Sequence, residues 1–534
     1  MGFVKKCLGI DLGTSNIKVA ELQFTGSGVE VIKLAQAEIS TPKDSSRLEK
    51  NKETINTLKG LLKANKIGTK EAVFCISGQT VFVRRFRLPQ TTEERLERII
   101  NYEARQQIPF PIEKTMLEYQ VFPVEGAPEV DVFLVALKKD VLYEFMDIVN
   151  RTGLKPIGIS ISTLSLYNFH SFDSLPSEKF MQRFGTKKKK LSLKPKFKLP
   201  KFKKKSKKKK EKEAEEKKIA EALEEEMEDY VPEIVRAYIH IGATMTDLSI
   251  GSVGEKASLG FTRSIPIAGN SISQAILDKC EEIKSFEEAE REKKENTIIL
   301  SMDAVQDETS NAEASEAATG VLDRIIAELR RSLDYYISQP DGMAVDEIIL
   351  SGGQSQMPNM ATYIEDKLGI PVTQFKEPSG ENLKGPKTSN QNIVAYPITM
   401  GLALLGLGLS SLKIDFLPPD QKVAIKFKRK RGFVLVLTAM VAGTVVLGSM
   451  CGDHYIAIHR NKTEQYQDEY RRNLPIINRI KEAQKVQDDL KNKYEKLAAG
   501  LTTNRDYPLK RWVDILKAKP ADVLVSSLKI FPDG

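Results

Sequence analysis

Three kinds of hydrophobic pattern divide this chain. Short apolar runs of strand length, each carrying a glycine-bearing turn, recur at Cys7 to Leu22 (CLGIDLGTSNIKVAEL), Ile239 to Ile250 (IHIGATMTDLSI) and Ile348 to Met357 (IILSGGQSQM). They predict strands and turns of an α/β head. Phe433 to Cys451 (FVLVLTAMVAGTVVLGSMC), with Gly432 ahead of it, is strongly apolar, uncharged and long enough to span a bilayer. It predicts one transmembrane helix over 432–452. Beyond it Leu474, Ile477, Ile480, Ala483, Val486, Leu490, Tyr494, Leu497 and Leu501 recur every three or four residues. That spacing predicts an amphipathic helix over 453–505 suited to a coiled coil, with Pro475 marking its start or a kink.

Charge orients the middle pattern. Lys426, Lys428, Arg429, Lys430 and Arg431 stand before the apolar run, whereas Asp453 and His454 follow it. The basic side stays in the cytoplasm, so the N-terminus is cytoplasmic and the C-terminus external. A buried core helix is the competing reading of the run, and such helices rarely follow a basic cluster so closely. A second uncharged stretch, Gln391 to Leu412, would export the KFKRKR cluster if it crossed, and its Pro, Thr, Ser and glycines make it less apolar. It is therefore expected to belong to the head.

Composition changes the picture in two places. The length of 534 residues allows about two to four domains at roughly 100–200 residues each. The formal net charge of +9 comes from one tract, Lys187 to Lys210, which holds 15 lysines and no acid; +9 less 15 leaves −6. That tract is low-complexity and is followed by the acidic, helix-prone EKEAEEKKIAEALEEEMEDY. It reads as a linker, as a site for an anionic leaflet, or, through Phe197 and Phe202 among the lysines, as a nucleic-acid site. A chain already on a membrane favours lipid over nucleic acid. Cys7, Cys75, Cys280 and Cys451 lie far apart without a metal-binding spacing, which predicts reduced thiols without zinc. The N-terminal MGFVKKCLGIDLG has no apolar stretch of signal-peptide length, so insertion is expected through the internal helix.

The first turn has phosphate-binding chemistry. Gly13 permits close backbone approach, Thr14, Ser15 and Asn16 offer hydroxyl and amide donors, and Asp11 can hold a hydrated cation. A turn selected only for hairpin geometry would look similar. Three such turns in this order, however, resemble the actin-like ATPase superfamily, with its two phosphate loops and its adenosine loop. Tyr102 to Pro111 (YEARQQIPFP), the runs LEYQVFP and VDVFLVAL, KKDVLYEFMDIVNRTGLKPIGISIS, and Phe261 to Gln274 (FTRSIPIAGNSISQ) narrow the resemblance to the pilus assembly family PilM, a relative of the cell-division protein FtsA. Fold maintenance alone would explain any one piece, as when Pro109 and Pro111 break a helix.

The resemblance implies an actin-like (ribonuclease H-like) two-lobed ATPase fold over 1–411, with a small inserted subdomain at about 80–157 and the Lys-rich then acidic insertion at 187–230. It implies ATP and Mg2+ as cofactors, with Asp11 on the metal side. The nucleotide would meet Asp11, Gly13, Thr14, Ser15, Asn16, Lys18, Gly242, Ala243, Thr244, Gly269, Asn270, Gly352, Gly353, Gln354 and Ser355. Ala395, Gly401 and Ala403 resemble the last helix of that fold. One departure matters: the second phosphate turn usually begins with Asp, and His240 stands there. A neutral imidazole serves a hard cation poorly, so nucleotide binding is expected and hydrolysis is expected to be slow or absent. Asp247 is expected beyond the turn and out of play. Arg330 reads as a solvated helix charge before it reads as a purine neighbour.

After the head, KIDFLPPDQ at Lys413 to Gln421 resembles the cytoplasmic start of PilN, so the chain resembles a PilM and PilN fusion, an arrangement like that of GspL-type secretion proteins. Ile414, Phe416, Leu417 and Pro418 are expected to dock on the head, its own or a neighbour's, because Ile, Phe and Leu left in water would be costly. Residues 412–431 are then peptide and basic edge, and 506–534 the start of a partial external α+β domain, whose strand VLVSSLKIF stops at Gly534 without sister strands. Either the chain is cut there or a partner completes the sheet.

A sugar kinase would need no anchor, and a chaperone would need a β-rich domain after the head. The favoured reading is a scaffold in the bacterial inner membrane, single-pass with a periplasmic C-terminus, in a type IV pilus or type II secretion-like machine. Its expected partners are PilO-like membrane components and a cytoplasmic assembly ATPase, with a homo- or hetero-dimer through the external helix. The alternatives are an active membrane-anchored ATPase and a tethered nucleic-acid binder.

Overall fold

The computed structural model describes residues 4–39, 45–124, 126–184, 234–253, 257–300, 311–386 and 392–501, with residues 513 and 517. The insertion at 187–230 and, but for those two residues, the stretch 506–534 lie outside the described residues. The first apolar run folds as β1 (Lys6–Leu12), β2 (Asn16–Phe24) and β3 (Val29–Glu38), an antiparallel meander, and β4 (Glu71–Ile76) joins β1 in parallel. The chain then leaves for a separate three-stranded sheet, β5 (Val81–Pro89), β6 (Thr115–Pro123) and β7 (Glu129–Lys138), and returns as β8 (Lys155–Ile161) beside β4.

The second sheet repeats the scheme of the first. β9 (Val235–Ile241), β10 (Thr246–Ser252) and β11 (Leu259–Ile265) form a meander, and β12 (Glu347–Ser351) and β13 (Val372–Gln374) add in parallel. Its order is β11-β10-β9-β12-β13, and the first sheet runs β14-β3-β2-β1-β4-β8, with the short β14 (Leu383–Lys384) beside β3. Each lobe is therefore a hairpin meander followed by two parallel strands, and each first hairpin turn lies at the same place in its lobe. Cys7, Leu8 and Ile10 on β1 are all fully buried, which is why this strand reads as a continuous apolar run and not as an alternation.

Two apolar helices pack on each other, Pro397–Leu407 against β1 and β2 of the first sheet and Ser162–Asp173 against β10 of the second. Ser162–Asp173 is buried from Ser162 through Phe172, and Pro397–Leu407, inside the uncharged stretch Gln391 to Leu412, is buried along nearly its whole length within the head. Their approach is set by glycines without room for a side chain. A Cβ on Gly9 would lie 1.8 Å from the Thr399 carbonyl oxygen, and one on Gly401 would lie 1.8 Å from that of Ser165. Backbone cannot yield as a flexible side chain does, so Gly401→Ala is expected to cost about 1–3 kcal/mol or more through overpacking. Calorimetric melting of the full chain checks this; an unchanged midpoint would show that the two helices do not meet there.

Residues 430–534 form the second compact unit. Its described part is helical as far as Leu501, within the helix Pro419–Leu501. Among the described residues this is the one helix long and apolar enough to cross a membrane, with a mean hydropathy of 1.5 in its most apolar window and none of that window buried. Pro475 lies inside the helix and so does not mark its start. Leu474, Ile480, Val486, Leu490, Tyr494 and Leu497 are all exposed.

Candidate functional site

The turn between β1 and β2 and the turn between β9 and β10 are tight for the same reason. A Cβ on Gly13 would sit 2.6 Å from the Asn16 carbonyl oxygen, and one on Gly242 3.1 Å from that of Met245. The two turns face each other across the lobes: the Thr14 hydroxyl donates to Thr244 Oγ1 at 3.3 Å, and Asn270 Nδ2 donates to Ser15 Oγ at 3.3 Å. The helix Gly269–Lys279 is tied to the second turn, its Gly269 N–H donating to the Gly242 carbonyl at 3.1 Å and its Asn270 N–H to that of Ala243 at 2.6 Å.

The third turn joins this group. Gly352 has φ of +101°, and a Cβ there would lie 2.2 Å from the Ile241 carbonyl oxygen, so only glycine fits. Ser355 Oγ closes the turn by donating to the Gly352 carbonyl at 2.7 Å, while Gly353 has open space where a Cβ would be. Gln354 Oε1 lies 2.7 Å from the position of a Gly269 Cβ. Residues 11–18, 242–244, 269–270 and 352–355 thus converge from four distant parts of the chain. Cavities of about 320 Å3 beside Arg85 and Tyr336 and about 670 Å3 beside His170 and Tyr238 contain none of these turn residues.

The charges follow the strand register. Asp11 pairs with Lys18 across the first hairpin, and His240 pairs with Asp247 across the second. Asp247 is therefore not beyond the turn, as its distance along the chain suggested; it stands directly across from His240, because a hairpin folds position seven back onto position zero. Burial raises the Asp11 carboxyl and lowers the Lys18 ammonium, each partly offset by the other. Burial holds the His240 imidazole well below its ordinary value, with Lys18 and His170 adding to the effect, and its Nδ1 lies 3.0 Å from Ser351 Oγ. Asp247 is 5% exposed and accepts from the Ser264 hydroxyl. Its carboxyl is raised to about 6, with burial the largest cause and Asp11 adding to it, against the hydrogen bonds from Ser264 and Ser162 that pull it down. Burial raises the Cys75 thiol, and both Asp11 and Asp247 raise it further.

Hydroxyls, an amide, glycine backbone and the Lys18 ammonium make a donor set that fits a nucleotide's phosphates, and Asp11, across from Lys18, is a carboxylate suited to a hydrated divalent ion. Sequence reasoning missed Lys293 and Glu290. The buried Lys293 ammonium donates to the Gly269 carbonyl at 3.1 Å and to Ser273 Oγ at 2.9 Å, and it pairs with Glu290, so it braces the turn that meets the second phosphate loop. An acid and a lysine three apart on the helix Phe286–Glu295 were the available signal. Arg330 is held instead by the Lys367 carbonyl at an exposed site.

Residues 411–418 lie on this chain's own head. Ile414, Phe416 and Leu417 are 2%, 0% and 0% exposed, and Pro418 is half-buried. β8 is the last strand of its sheet, and its free edge takes the segment: the Phe416 N–H donates to the Ile159 carbonyl at 2.8 Å. Asp415 Oδ1 accepts the N–H groups of Ile159 at 2.8 Å and Leu417 at 2.9 Å. Asn168 grips the backbone of Leu412 at both its N–H (2.8 Å) and its carbonyl (3.0 Å). From the inserted sheet, Gln120 holds the Ser411 carbonyl and the Lys413 N–H, and Glu118 pairs with Lys422 at 2.6 Å.

Two sheets of one repeated order, phosphate-type turns facing across them and a third glycine turn after β12 are the fold of the actin-like ATPases. Within that class the chain belongs to the family of the type IV pilus assembly protein PilM, which matches residues 9–184 and 211–407, and with that membership goes a part in type IV pilus assembly. A chain of a solved "PilM-PilN type IV pilus biogenesis complex" is similar in fold, with a TM-score of 0.54 at 20% identity over 76% of this chain and 99% of that one. The ethanolamine utilization protein EutJ from Carboxydothermus hydrogenoformans matches at a TM-score of 0.37 and 14% identity over 74% of this chain and 89% of its own. A protein of actin-like ATPase fold from Bacteroides thetaiotaomicron matches at 0.32 and 9%, over 75% and 95%.

Proposed function

We propose that the head binds ATP with Mg2+ and serves as the cytoplasmic part of a single-pass inner-membrane scaffold, a PilM-like head fused to a PilN-like segment. The observation that carries this is the meeting of Thr14 with Thr244, two phosphate-type turns 230 residues apart brought to 3.3 Å. Gly13, Thr14, Ser15, Asn16, Gly242, Ala243 and Thr244 would cradle the phosphates, Gly269, Asn270 and Gly352 to Ser355 the nucleoside, and Lys18 would neutralise phosphate charge. Asp11 would hold the hydrated ion, which when bound screens the phosphate oxygens. The basic edge at 426–431 orients the N-terminus to the cytoplasm and the C-terminus to the periplasm. The exposed apolar positions of the external helix suit a PilO-like partner or a second copy, and the head suits contact with a cytoplasmic assembly ATPase. The neutral His240 supports slow turnover, while Asp247, beside it and near Asp11, supports the alternative of an active ATPase.

Equilibrium binding of Mg-ATP to the full chain in nanodiscs tests the reading. Binding is expected, and Asp11→Ala is expected to weaken it at least tenfold in magnesium but little in its absence. Absent binding of any nucleotide would overturn the site, and rapid steady-state hydrolysis abolished by Asp247→Asn would favour the alternative.

A further inference from the structure

One apolar surface of the head stands exposed where the second lobe begins. Among the described residues up to 418, nine large apolar side chains are exposed, and four of them, Ile234, Tyr335, Ile337 and Met343, gather at one corner. Single exposed apolar residues are ordinary, whereas a gathered group marks a contact surface. Backbone ties the corner together. The Val253 N–H donates to the Ile234 carbonyl at 3.0 Å, the Asp346 N–H donates to the Val235 carbonyl at 2.9 Å, and the Asp346 carboxylate accepts the Val235 N–H at 2.8 Å. A Cβ on Gly342 would lie 2.6 Å from the Ile337 carbonyl oxygen, so the turn before Met343 folds onto the end of the helix Ala312–Ile337. Tyr335 meets Phe261 of β11, with ring centres 5.6 Å apart. Beside them is the cavity of about 320 Å3, whose wall includes Gly260, Met343 and Ser252, the register partner of Val235. Arg85 and Arg87 of β5 also line it, so the inserted sheet supplies the remaining wall. Arg87 pairs with Asp341, and a guanidinium with five N–H donors can serve a second carboxylate.

The chain that enters this corner carries the matching pattern. Residues 211–230, EKEAEEKKIAEALEEEMEDY, hold Ile219, Leu223, Met227 and Tyr230 at spacings of four, four and three, the spacing of one helix face, amid ten acids and three lysines. From Tyr230 to Ile234 the chain spans at most roughly 14 Å, and Pro232 falls inside that span. Wherever the apolar stripe lies, its last residue stays within reach of Ile234. We propose that residues 211–230 dock on this corner of their own head, with Ile219, Leu223, Met227 and Tyr230 against Ile234, Tyr335, Ile337 and Met343 and the flanking carboxylates turned to Arg87. The short tether holds the stripe at roughly millimolar local concentration, so even a weak contact is populated. Because one wall of the cavity belongs to the second lobe and the other to β5, a stripe seated there also fixes the inserted sheet to that lobe.

Disulfide trapping in the full chain in nanodiscs tests the docking. Glu226→Cys, beside the stripe, and Ser338→Cys, beside Ile337, are combined with Cys451→Ser and oxidised mildly; Cys7, Cys75 and Cys280, which remain, are buried. An intramolecular disulfide is expected. Adding Leu223→Glu and Tyr230→Glu, which leaves the tether and every described residue of the head unchanged, is expected to slow its formation about tenfold. Hydrogen exchange gives a second reading on the chain without engineered cysteines: 335–343 is expected to exchange faster once Leu223→Glu and Tyr230→Glu are present, with β1 and β4 unchanged. A trapping rate indifferent to the two glutamates would mean random collision of a tethered segment. A disulfide between chains would make a second copy the occupant, and exchange at 335–343 indifferent to the substitutions would leave the corner to a separate protein. Each of these results would overturn the proposal.

Discussion

Phe416→Ala is expected to destabilise the head by about 3–5 kcal/mol, the range for removing a fully buried aromatic ring. The ring is 0% exposed and belongs to the same apolar cluster as Ile159, Leu164 and Leu412. Its loss leaves a hole that cannot collapse easily, because the backbone beside it is pinned by the Phe416 N–H to Ile159 and by both bonds to Asp415. Phe416→Leu, which keeps most of the volume, should cost much less. Calorimetric melting of the full chain distinguishes them. Equal midpoints for wild type and Phe416→Ala would mean that the segment is a loose spacer whose burial contributes nothing.

Asp247→Asn is expected to act in the opposite direction and to raise stability at neutral pH. An Asp raised from 3.8 to about 6 binds a proton in the folded state that the unfolded chain has already released. Between those values the folded state holds more protons than the unfolded one, so stability falls as pH rises through the window and stays lower above it. That rise corresponds to about 3 kcal/mol at neutral pH. The asparagine removes the buried charge while keeping one acceptor for Ser264 or Ser162. The gain in melting temperature over wild type should therefore be large at pH 7.5 and small near pH 4. A variant that melts below wild type at both values would show that the carboxylate is stabilised where it stands. The same change should weaken Mg-ATP binding, since a strained charge retained in a cleft trades stability for function.

What could be read from the sequence was what local chemistry decides. Gly13, Gly242 and Gly352 announced tight turns, where backbone lies in the place of their Cβ atoms, and the apolar run from Cys7 announced a strand. Phe416 was legible as a buried anchor because an apolar residue between two polar edges must be covered. Asp247 was misjudged because distance was counted along the chain; counted across the hairpin, the spacing of Asp11 and Lys18 already places it opposite His240. Asn168 was not legible: it earns its role from a backbone carbonyl and amide of Leu412, supplied by a distant segment, and no periodicity records that. Lys293 had only the spacing from Glu290 to mark it. Pro475 was read as the start of the external helix or a kink, and it lies inside a helix that already runs from Pro419.

The groove on β8 is filled from within the same polypeptide, and this fixes a ratio. Heads that gripped a separate membrane chain would be recruited according to how much of each chain the cell makes, and an excess of either would leave free heads or empty grooves. Here every head carries its own occupant at a local concentration of roughly millimolar. Head and anchor are produced one for one from a single message, and a separate peptide of the same type would have to displace a tethered competitor before it could enter. Control by relative expression is lost, and with it any pool of unattached heads.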